Sequence, residues 1–230
     1  MLTSTITAIQ IASYCNQLLS GKITRDNLYE GKINEHWELC LFWKIGCNEN
    51  TVFKWIEKIK ASGVKRIFVR FSRFENVYLI SPDTSENWDI ETNLLERDPK
   101  VKWRFSLCLS NEIYQDYEKG EIDVLLERAK VELSDLSKYL KENKFPEYEQ
   151  VETARKIVSR EITKEFGYIH HSFDQERKML VDASISAWNY GSKSQWYGVN
   201  EKEIDNCRKK LRRLHINLVH NIENGVNLGF

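Results

Sequence analysis

The chain has 230 residues, 34 Lys plus Arg against 34 Asp plus Glu, and is 41% hydrophobic and 12% aromatic. That much apolar side chain closes a core, and the lack of a charge excess excludes a chain that stays globally disordered. No apolar run approaches the roughly 18–20 residues that span a bilayer. Residues 1–8 carry no Lys or Arg of a secretory leader, so a cytoplasmic protein with no membrane partner is expected.

In chain order, residues 4–20 predict a helix with Ile6, Ile9, Ala12, Leu18 and Leu19 on its apolar stripe and Gly21 as the stop. Residues 37–45 alternate, with Trp37, Leu39, Leu41, Trp43 and Ile45 on one face, as a strand does. Asn50 or Thr51 can cap a helix carrying Phe53, Ile56 and Ile59 and ending before Gly63. Residues 65–73 and 76–80 read as two strands joined by a tight link at Phe74-Glu75. Residues 85–97 are expected as a helix on Trp88, Leu94 and Leu95, and residues 101–109 as a strand with Val101, Trp103, Phe105, Leu107 and Leu109 on one face. The resulting order of strand, helix, strand, strand, helix, strand is that of a ferredoxin-like βαββαβ unit with a small antiparallel sheet.

From residue 111 onward the pattern is helical. Residues 120–143 place Ile122, Leu125, Leu126, Ala129, Leu133, Leu136 and Leu140 at three- and four-residue steps, and Phe145-Pro146 breaks the run. Further helices are expected over 148–166, 172–190 and 201–222, with a polar loop at 191–198. The fold class expected is α+β: a sheet region with an N-terminal helix over 1–110, then a helical bundle region over 111–230, packed together as one unit.

Neutral overall charge conceals segregation. Residues 54–73 hold seven basic residues against Glu57 alone, and residues 74–99 hold seven acids against Arg97 alone. On the strand at 65–73, Arg66, Phe68 and Arg70 alternate on one face, with Arg73 beyond. Guanidinium groups interleaved with rings on an open sheet suit single-stranded nucleic acid, since cations meet phosphates and rings stack on bases. The same alternation also fits a sheet whose arginines pair with the acids that follow. The last helix carries a second basic face, Lys209, Lys210, Arg212 and Arg213, partly in keeping with bases placed late in a helix to complement its dipole. Its apolar seam, Ile204, Cys207, Leu211, Leu214 and Leu218, has coiled-coil-like spacing and is a candidate for a homodimer or a partner helix. RNA or single-stranded nucleic acid is the expected partner.

Arg208 and His215 are seven residues apart and share a helix face, about 10 Å apart along the axis. An Arg followed by a His in a helical domain resembles the motif of HEPN ribonucleases, with Lys209 here in place of that family's small polar residue. The resemblance implies metal-independent RNA cleavage, with Arg208 neutralising charge on the scissile phosphate and His215 moving the 2′-hydroxyl proton. A protein-interaction subunit with no nucleic-acid role is the remaining alternative. No cofactor or metal site is expected. The adjacent His170 and His171 point about 100° apart on a helix. Cys15, Cys40, Cys47, Cys108 and Cys207 contain no C-x-x-C pair and are expected as free thiols.

Overall fold

The computed structural model describes residues 2–22, 52–71, 77–84, 87–96, 102–109, 119–162, 173–188 and 201–227. Helices α1 (Leu2–Leu19) and α2 (Val52–Ala61) precede strands β1 (Phe68–Phe71), β2 (Val77–Ile80), β3 (Asn87–Glu96) and β4 (Lys102–Leu109). Helices α3 (Ile122–Glu142), α4 (Tyr148–Val158), α5 (Gln175–Trp188) and α6 (Glu201–Asn227) follow. The class is α+β with a helical region, as expected. No described helix is long and apolar enough to cross a membrane.

The sheet corrects the ferredoxin-like expectation. Residues 85–97 contain β3 rather than a helix, and the four strands form an antiparallel meander in the order β1-β2-β3-β4. The physical reason is legible in the segment itself. Trp88, Ile90, Thr92 and Leu94 alternate with Asp89, Glu91, Asn93 and Leu95, a period of two that a helix cannot use. That alternation pairs with β4 in register from Trp88↔Leu109 to Leu94↔Trp103, with an irregularity between Leu94 and Glu96. The strand expected at 37–45 lies outside the described residues.

Four helices end in the same way. Gly21 (φ 72°), Gly63 (φ 91°), Lys144 (φ 57°) and Arg160 (φ 57°) each take the left-handed conformation just past the last turn. The following amide then reaches back across the turn: Lys22 to Gln17, Val64 to Ile59, Phe145 to Leu140 and Glu161 to Lys156, at 2.9–3.0 Å. These are Schellman caps, which satisfy carbonyls that the helix itself leaves open. The last of them ends α4 at Val158, well before the expected 166. Arg155 secures the turn by binding Glu152 on its own helix and Glu161 beyond the cap, at 2.6–2.9 Å.

Helix α6 runs five residues beyond the expected end. The added residues include the polar Glu223, Asn224 and Asn227, all of them buried. Glu223 and Asn227 pack where β1 forms the edge of the sheet, while Asn224 accepts the Gly120 N–H at 2.8 Å. Along that strand and the residue before it, the outward-facing backbone groups belong to Ile67, Val69 and Phe71, because those of Phe68 and Arg70 face β2. Asn16 of α1 accepts the Ile67 N–H at 2.6 Å and donates to the Ile67 carbonyl at 2.7 Å. Asn227 does the same at Val69, both at 2.8 Å, and Glu223 accepts the Phe71 N–H at 3.0 Å. Two helices thus occupy the hydrogen-bonding edge that would otherwise recruit another strand.

The core runs from the sheet into the helices. Trp55 of α2 and Trp88 of β3 meet edge to face at 5.3 Å, both fully buried. Gly225 lets α6 approach α5 closely, since a Cβ there would stand 2.5 Å from Val181 Cγ2. Cys15 and Cys207 are buried free thiols.

Candidate nucleic-acid interface

The two expected basic faces meet different fates. On β1, Arg70 is buried, and its Nη1 lies 3.1 Å from Glu223 Oε2. This corrects the expected open arginine face. β1 is covered by α6, and Arg70 finds a partner, Glu223, at the far end of the chain. Arg66 remains exposed but pairs with Asp83 at 3.5 Å and lies over the half-buried Phe68 ring at 5.5 Å. Asp83 also accepts the Lys65 and Arg66 amides at 3.2 and 3.1 Å. Arg73 lies outside the described residues. Burial pushes the Glu223 carboxyl up to about 7, against the opposing pull of the Arg70 guanidinium and the Phe71 amide.

The helix face is different. Arg208, Lys209, Lys210, Arg212 and Arg213 are all exposed on α6, while Cys207, Leu211, Leu214 and Leu218 are buried on its opposite side. The seam that could have received a partner helix is therefore filled by the chain's own core. Ile204, at its start, is half-buried. Because α6 extends to Asn227, the basic run sits in the first half of the helix, and the last turn carries no base. Dipole complementarity, which acts within the last turn, does not account for it. No acid stands between Asp205 and Glu223.

Helix α3 lies antiparallel beside α6. Arg128 Nη2 meets Asn221 at 3.4 Å, Asn217 donates to both Glu132 oxygens at 2.7 and 2.8 Å, and Lys210 Nζ lies 5.0 Å from the centre of the Tyr139 ring. Residue numbers rise on one helix as they fall on the other. Between them runs a groove of about 720 Å³ with Leu136 and Leu214 as its buried floor and Val131, 59% exposed, at its rim. Asp135 on one wall and Arg213 on the other are both exposed, and neither makes an ion pair among the described residues. Sequence reasoning nominated Arg213 and Lys210 but missed Asp135 and Val131. An apolar residue and an acid on the exposed side of α3 were the available signal.

Arg208 and His215 lie on the same side of α6. The His215 ring is half-buried with its centre 4.5 Å from the Trp188 ring, and Trp188 in turn lies 5.4 Å from Phe71. Cys207 is pushed up to about 12, first by burial and then by Glu147, so its thiolate is suppressed at neutral pH. Among the described residues no group of three or more His, Cys, Asp or Glu side chains is placed to hold a metal ion. His170 and His171 lie outside them. Comparison with known protein families, curated proteins and solved structures finds no match for the chain.

Proposed function

We propose that the chain binds nucleic acid, RNA or single strands, through the basic face of α6. The observation that carries this reading is the position of the exposed run Arg208–Arg213, which neither the core nor the helix dipole requires. Lys209, Arg212 and Arg213 form no ion pair among the described residues, so their charge is presented to solvent. A local cationic surface attracts a polyanion even on a neutral protein, because a phosphate responds to the nearby potential. Phosphate contacts release counterions, so the affinity they provide falls as salt rises.

The test is a titration of labelled single-stranded RNA across a salt series. Affinity should fall steeply between about 50 and 200 mM salt, and Lys209→Ala with Arg212→Ala should weaken it several-fold at the low-salt end and flatten the salt dependence without changing the thermal midpoint. Absence of binding at the low-salt end would overturn the reading.

A further inference from the structure

We propose that the groove between α3 and α6 receives the base of a single-stranded nucleotide, with a preference for bases that carry an exocyclic amino group. The inference rests on the nucleic-acid reading above and adds a base site to it. Its basis is the combination of surfaces that the groove brings together.

A nucleotide is anionic at the phosphate, apolar on the faces of its base and hydrogen-bonding at the base edge. The groove matches each part. Arg213 and Lys210 stand on the α6 wall, continuous with the exposed basic run, where a phosphate would meet them. Leu136, Leu214 and Val131 supply an apolar surface for a base face. Asp135 faces them from the α3 wall, exposed and outside any ion pair among the described residues, although Arg213 lines the same groove. Glu132, by contrast, already has both oxygens engaged by Asn217. Opposite charges kept apart across an open groove leave both free to meet a ligand that has an anion at one end and donors at the other. The volume, about 720 Å³, is that of a small-ligand site.

The chemistry sets the preference. A carboxylate only accepts hydrogen bonds, so Asp135 pairs with the amino group of cytosine, adenine or guanine. Uracil presents a carbonyl oxygen where cytosine has its amino group, and its ring N3–H, although a donor, lies between two carbonyl oxygens that repel the Asp135 carboxylate. Single strands are required, because an unstacked base has to leave its neighbours to enter.

The experiment compares fluorescence anisotropy titrations of short labelled oligoribonucleotides made of cytidine, adenosine or uridine alone. The cytidine and adenosine oligomers should bind about three- to tenfold more tightly than the uridine oligomer, the range of one ordinary hydrogen bond, because Asp135 is solvent-exposed. Asp135→Ala should bring the three affinities together, and Val131→Trp, which fills the groove from an exposed rim, should weaken the first two more than the third. Lys209→Ala with Arg212→Ala should weaken all three alike, because phosphate contacts carry no sequence information. Equal affinities for the three oligomers, or a preference that survives Asp135→Ala, would overturn the base site. If the double Lys209 and Arg212 variant still weakened binding in that case, the proposed function would stand. Failure of every oligomer to bind at low salt would remove both.

Discussion

Asn227, at the last turn of α6, holds both backbone groups of Val69: its Oδ1 accepts the Val69 N–H and its Nδ2 donates to the Val69 carbonyl, each at 2.8 Å. The side-chain amide replaces a neighbouring strand at the edge of the sheet. It joins residues 158 positions apart, so the first strand of the sheet is completed by the end of the last helix.

Asn227→Ala leaves two buried backbone groups without their partner. Each unsatisfied group costs roughly 1–3 kcal/mol, so a loss of about 2–6 kcal/mol is expected. Urea denaturation of the two proteins measures it. A change under about 0.5 kcal/mol would show that water or the chain replaces the amide at no penalty.

The pH dependence of Glu223 has a definite sign. Its folded carboxyl is raised to about 7 from an ordinary value of 4.5, so between those pH values the folded chain holds a proton that the unfolded chain has released. The stability this group contributes is complete below the unfolded value and is lost as pH rises to about 7. Glu223→Gln cannot ionise and still offers Phe71 an acceptor. Relative to the parent it should gain stability from pH 4.5 to 7, by no more than about 3 kcal/mol. Denaturation at several pH values across that window decides, and a difference that stays flat would mean that the carboxyl is ionised throughout.

Gly225 is expected to resist replacement even though alanine is the better helix former by about 1 kcal/mol. The added methyl would meet the fully buried Val181 at 2.5 Å. Overpacking of this kind costs about 1–3 kcal/mol, so Gly225→Ala should be net destabilising. The same change in a Val181→Ala background should cost nothing further, and a double-mutant cycle read by thermal unfolding isolates the coupling.

Lys144 takes a left-handed conformation that penalises any residue with a Cβ. Lys144→Gly should raise stability by about 0.5–1 kcal/mol, and Lys144→Val should lower it, because β-branching worsens the same clash. The thermal midpoints of the two variants should therefore move in opposite directions.

Arg66→Ala is expected to leave RNA affinity unchanged within about twofold, since Arg66 is paired with Asp83 and stands just before β1 rather than on α6. A loss as large as that of Lys209→Ala with Arg212→Ala would return the sheet to the interface.

Much of the architecture was legible in local pattern. The three- and four-residue steps of α3 and the seam of α6 were read correctly, because burial on one side of a helix imposes its period on the sequence. Gly21 and Gly63 marked helix ends because glycine is the usual left-handed cap. Arg160 performs the same task at the end of α4 without such a signal, and the expected helix overran. At β3, Trp88, Leu94 and Leu95 supported a helix, but the whole segment kept a period of two and paired with β4.

The candidate site divides along the same line. The cationic run on α6 could be read directly, because a cluster of bases on the side opposite a leucine seam is exposed wherever that seam is buried. Arg70 could not be placed in this way. Its alternation with Phe68 was correct for a strand, but exposure depended on what lay over the strand.

The sequence by itself therefore determined the periodic elements, the α+β class and the basic face of α6, since these follow from side-chain spacing within a few residues. Tertiary structure alone decided that the polar end of α6 is core, that Arg70 answers Glu223 and that Asp135 shares a groove with Arg213. Those outcomes depend on partners far apart in the chain, and a buried polar group takes its meaning from the partner that satisfies it.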